Sequence, residues 1–148
     1  MSGVGAAARR RGVLVCGDVW TDALLGGGEA HEEAMGFLQA ARGCRLLVTA
    51  VDASRVFDAV LQGPGAGAAW EAALELWQDA TVVAVGSAEY ERALALGGGH
   101  GVTLAACLDA AAAESARAGL VVGGQPGPRG CAVTWARPSA AMETLAGR

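Results

Sequence analysis

Four short apolar runs recur along this chain, at Val13 to Val15, Arg45 to Thr49, Thr81 to Val85 and Leu120 to Val122. After its opening residue each is an unbroken string of Val, Leu, Thr and Ala with no polar alternation. A strand of that kind is buried on both faces, which happens in parallel sheets covered by helices. The runs are separated by stretches of helical period, so the pattern predicts an α/β chain. Its architecture is a three-layer α/β/α sandwich around a mainly parallel five-stranded sheet, with Cys131 to Trp135 as the fifth strand.

The helical stretches are bounded by local chemistry. A short helix is expected over Val19 to Leu25, stopped by Gly26, Gly27 and Gly28. In the next, Ala30, Ala34, Phe37, Leu38 and Ala41 fall on one face, and Gly43 lies just past its end. Val51, Phe57, Val60 and Leu61 mark a helix that starts near Asp52 and ends at Gly63-Pro64-Gly65. Trp70, Ala73, Leu74 and Trp77 share a face of a helix over Ala68 to Trp77. Ser87 is the expected N-cap of a helix through Leu96, with Glu89 in its first turn. The longest helix is expected from Val102 to Ala118, and a terminal one from Ser139 to Leu145.

Composition narrows the function classes. At 148 residues the chain has the size of one domain and buries roughly 70% of its unfolded surface. Net charge is −4 and all 11 basic residues are Arg, clustered only at Arg9, Arg10 and Arg11, so no broad electrostatic footprint for nucleic acid is present. Residues 1–11 are read as a flexible N-terminal tail and residues 12–148 as the single domain. No apolar run approaches the ~20 residues that span a bilayer, and the first residues lack the apolar core of a signal peptide. The expectation is a cytoplasmic protein with no membrane association and no DNA partner. Cys16, Cys44, Cys107 and Cys131 show no metal-ligand spacing and sit in apolar segments, which reads as buried reduced thiols.

Three segments together resemble the PIN-domain family, and especially the small ribonuclease toxins of bacterial toxin–antitoxin pairs. VLVCGDVWTDALL is similar to that family's opening strand and helix, RLLVTAVDASRVFDAVL to its second strand and acidic helix, and LALGGGHGVTLAACLDAAAAESARAGLVV to its late helix and fourth strand. The resemblance implies a cleft at the C-terminal edge of the sheet. There, family members gather carboxylates around Mg²⁺ or Mn²⁺, which activates water against an RNA phosphodiester. Carried over residue by residue, the acidic set is missing. The first Asp position falls on Cys16, the Thr on Gly17 and the Asn on Asp18. The helical Glu falls on Arg55, the late Asp near Thr103, and the positions after the fourth strand on Gly123 and Gly124. A guanidinium where a metal should lie repels a divalent ion.

The cleft implied by the resemblance is thus lined by Cys16, Asp18, Asp22, Arg55, Thr103 and Gly123, with no metal site and no catalytic residue. The reading is a degenerate PIN-like domain without nuclease activity that serves as a binding or interaction module and takes no cofactor. The alternative is a Mg²⁺- or Mn²⁺-dependent ribonuclease with a rearranged site of Asp18, Asp22 and Asp109, with Glu114 a further candidate. The resemblance also implies a homodimer and a protein partner of the antitoxin type, and leaves RNA open as a ligand. Asp18 is read as capping the first helix, and Asp52 as a helix N-terminal residue that pairs with Arg55 one turn on. Gly97 to Gly101, with His100, is read as an inter-helix loop, since it follows a helix and matches no phosphate-binding fingerprint.

Overall fold

The computed structural model describes residues 3–63, 65–97 and 101–147. Five strands, β1 (Val13–Val15), β2 (Leu46–Thr49), β3 (Ala80–Val83), β4 (Leu120–Val122) and β5 (Trp135–Ala136), form one sheet in the order β3-β2-β1-β4-β5. Every pairing is parallel. Val13 lies opposite Leu46 and Leu120, and Leu14 opposite Leu47 and Val121. This register sends alternate side chains to two different cores. Val13, Val15, Leu120 and Val122 join one cluster with Trp20 and Phe37, while Leu14, Leu47 and Val121 join another with Ala112 and Ala113.

The first cluster is covered by α2 (Gly17–Leu25), α4 (Ala50–Gln62) and α5 (Ala66–Gln78), backed by α3 (Gly28–Ala40) and α8 (Pro138–Leu145). On the other face lies α7 (Leu104–Ala116), with α6 (Ser87–Leu96) packed upon it. Trp20 and Phe37 are fully buried, and each contributes roughly 1.5–3 kcal/mol by leaving water. The sheet is therefore covered on both faces, as its strands require.

Several boundaries differ from expectation for local reasons. Residues Gly3–Arg11 form a helix, α1, in place of a tail. It is held because Ala8 is buried, Arg9 Nη2 donates to the Leu145 carbonyl at 2.6 Å, and Gly119 lets the backbone at Ala7 approach closely. The residue before α6 is Gly86, not Ser87, and its N–H donates to Glu89 Oε1 at 3.3 Å. Helix α7 is capped by Thr103, whose Oγ1 accepts from the Ala106 N–H, and it ends at Arg117 in the left-handed region. At thirteen residues it equals α3, α4 and α5 in length.

Strand β3 lies at the edge, so Val82 is 51% exposed rather than buried. β5 is Trp135–Ala136 and shares only Trp135 with the expected Cys131 to Trp135, and β3 runs Ala80–Val83 in place of Thr81 to Val85. Leu74 is 44% exposed, while Trp70 and Trp77 fold onto Phe57 with ring centroids 5.0 and 3.9 Å away. All four cysteines are free, and Cys44 and Cys131 are half-buried rather than buried. Gly98 to His100 lie outside the described residues.

Candidate functional site at the β1/β4 edge

β1 and β4 are neighbours, but the chain continues from β1 to β2 on one side and from β4 to β5 on the other. A ligand crevice opens where the direction of winding reverses, beyond the carboxyl ends of the strands. A pocket of about 210 Å³ lies there. β1 delivers Cys16, whose N–H donates to the Val122 carbonyl at 2.9 Å, and β4 delivers Gly123. α4 contributes Asp52 and Arg55, the cap of α7 contributes Thr103 and its middle Asp109, and Trp135 walls the side above Gly123.

The floor is acidic and closely bonded. The Thr49 hydroxyl caps α4 by accepting from the Asp52 N–H at 3.0 Å, and it donates to Asp109 Oδ1 at 3.4 Å. Asp52 Oδ2 accepts from the Gly17 N–H at 3.0 Å. Asp109 is 3% exposed, and burial first, then contact with the Asp52 carboxyl, push its pKa up to about 10. It therefore carries its proton at neutral pH. The Cys16 thiol is raised well above its usual range by burial and then by Asp109, Asp18 and Asp52, so it is no thiolate. Asp18 accepts from the Val19 N–H through Oδ1 and from the Gly124 N–H through Oδ2, both at 2.9 Å. Burial raises its pKa, against those two amides, which lower it.

No family model matches the chain, and no curated protein matches it. Among solved structures, Mycobacterium tuberculosis VapC20, described as a sarcin-ricin loop cleaving toxin, is similar over 74% of this chain and 86% of its own. The TM-score is 0.59 and the identity 17%. That likeness, together with the parallel five-stranded sheet of this chain, decides the architecture. The chain has a PIN-like fold. At this identity the PIN-like fold is what the two proteins share, and fold does not carry chemistry with it.

In this PIN-like domain Cys16, Asp18, Arg55, Thr103 and Gly123 all line the one pocket. Asp22 does not, because it lies a turn further along α2, where its carbonyl meets His31 Nδ1 at 3.0 Å. Glu114 is also elsewhere, bound to Arg92 at 2.8 Å on the outer side of α7. Asp18 is the second residue of α2 rather than its cap, which is Cys16. The expected Asp52–Arg55 pair does not form among the described residues, since Asp52 turns inward at 4% exposure while Arg55 stays at the exposed rim.

Two pocket features escaped the sequence reading. Asp52 looked like an ordinary first-turn acid, and its signal was the Thr49-x-x-Asp52 spacing, which aims a cap and a carboxyl at the same strand end. Trp135 gave no signal at all. Its place is set by Gly123 and Gly127, which leave room for the indole, and by its Nε1 donating to the Gln125 carbonyl at 3.0 Å.

Proposed function

We propose that this PIN-like domain does not hydrolyse RNA and works as a binding module through the pocket at the β1/β4 edge. The observation that carries the reading is that the pocket's acids are engaged by the protein itself. Asp18 is bonded to two backbone amides, Asp52 to a third, and Asp109 keeps its proton. Mg²⁺ and Mn²⁺ take oxygen ligands that are charged and free to turn toward them. The donor set does not fit that demand, and among the described residues no group of three His, Cys, Asp or Glu is arranged to hold a metal ion. Arg55 has no hydrogen bond or ion pair among the described residues, so a cation stands ready at the rim for an anionic group.

A second reading is favoured by one observation, the convergence of Asp18, Asp52 and Asp109 on a single pocket. It would make the chain a metal-dependent ribonuclease in which Asp52 replaces Asp22 of the sequence-based set. Calorimetric titration with Mn²⁺, together with incubation on ribosomal RNA containing the sarcin-ricin loop, separates the two. No saturable Mn²⁺ binding and intact RNA are expected. Micromolar binding that disappears in Asp18→Ala, with RNA cleavage, would establish the ribonuclease instead. In the same reading the module pairs with a second copy of itself or with a protein of the antitoxin type. No helix among the described residues is long and apolar enough to cross a membrane.

A further inference from the structure

The pocket carries charges of opposite sign at different depths, and this bears on what it holds. Asp52 and Arg55 lie one turn apart on α4, where Cβ atoms three residues apart are separated by about 5–6 Å. Asp52 is buried and faces the floor; Arg55 is exposed and unpaired among the described residues. Asp18, half-buried, adds a second carboxylate; an oxygen that accepts one amide is not free to turn toward a metal but keeps a lone pair for an ammonium N–H, and Thr103 and Gln125 add polar groups at the rim. Between these ends the wall is apolar, formed by Val56, Ala105 and Trp135.

From this arrangement we infer that the pocket takes a small zwitterion, with its ammonium group inward against Asp52 and Asp18 and its carboxylate outward on Arg55. A simple anion would meet Asp18 and Asp52 as it entered, and a simple amine would leave the guanidinium unused. An apolar body of a few methylenes matches the wall between the two charges. A pocket of about 210 Å³ leaves room for a small organic ligand. The γ-aminobutyrate zwitterion, with an ammonium and a carboxylate at the two ends of a three-methylene body, represents this class. The inference rests on the reading of this pocket as a binding site and gives it a ligand class.

The test uses the full chain and three probes in calorimetric titration: γ-aminobutyrate, butylamine and butyrate. The first should bind saturably and about tenfold or more tightly than either singly charged analogue, as expected when a charge-assisted hydrogen bond is made at each end. Arg55→Ala, at an exposed position, should bring γ-aminobutyrate down to the level of butylamine. Asp52→Asn keeps an acceptor for the Gly17 N–H and should bring it down to the level of butyrate. If thermal melting shows that variant to be unfolded, Asp18→Asn replaces it. Equal binding of butylamine and γ-aminobutyrate by the wild-type chain, or no binding of γ-aminobutyrate, overturns the zwitterion inference. The non-hydrolytic reading is judged separately, because it fails only if Mn²⁺ binds and RNA is cut.

Discussion

Replacing Asp109 by Asn converts the most perturbed group in the pocket into a permanently neutral one. In the folded chain burial and then Asp52 hold Asp109's pKa up to about 10, far above the ordinary carboxylate range near 4. An acid with a raised folded pKa binds a proton in the folded state that the unfolded state has already lost. Stability contributed by that proton is present at low pH and falls as pH rises through the window between the two values. The slope reaches about 1.4 kcal/mol per pH unit for one proton, so raising the pH from about 5.5 to about 7.5 should remove roughly 2–3 kcal/mol. Asn keeps the acceptor for the Thr49 hydroxyl and a donor toward Asp52, but has no proton to lose. Asp109→Asn should therefore flatten the profile and overtake the wild type as pH rises. Urea unfolding of both proteins at three pH values below the thiol range reads this directly. Cys16, Asp18 and Asp52 face position 109 in both proteins. Parallel pH profiles for the two proteins would refute the argument.

Gly123→Ala places a Cβ 2.9 Å from Trp135 and 3.1 Å from Cys16 Sγ, and should cost about 1–3 kcal/mol in urea unfolding, part of it recovered by adding Cys16→Ala. Thr103→Ala removes the cap of α7 and should cost about 1 kcal/mol by the same measurement, with the sheet intact by circular dichroism. Self-association, if it uses α5, should centre on Leu74, because Trp70 and Trp77 already fold onto Phe57. Light scattering should then show a dimer that Leu74→Glu converts to a monomer, and a monomeric wild type at high concentration would count against this surface.

The strands were legible because a strand buried on both faces needs an unbroken apolar run, and few other structures tolerate one. Leu120 to Val122 lies where it was expected, to the residue. α1 was not legible, because its three arginines and two glycines describe a solvated segment unless Gly119 offers the backbone a place to dock. The pocket was half legible. Cys16, Arg55 and Thr103 came from the family resemblance, carried over position by position, and all three line the pocket. Asp52 was misread because an acid in a first helical turn has the same sequence whether it faces solvent or floor, and the choice is made by Gly17 and Thr49 from other segments. Trp135 depends on side chains that are missing, at Gly123 and Gly127, and an absence of atoms leaves no pattern to read.

The close fit of Cys16, Gly123 and Trp135 also limits the routes by which the site could change. The sulfur fills the space that a side chain at 123 would need, and the indole closes the rest. A carboxylate introduced at position 16 would be buried and would face Asp109, Asp18 and Asp52 at once, the burial and the three groups that already hold the thiol in its protonated form. A polar side chain introduced at 123 would strike the ring. Each change costs stability unless the other residues give way, so this pocket and an acidic metal-binding one are separated by a set of linked substitutions rather than by a single step.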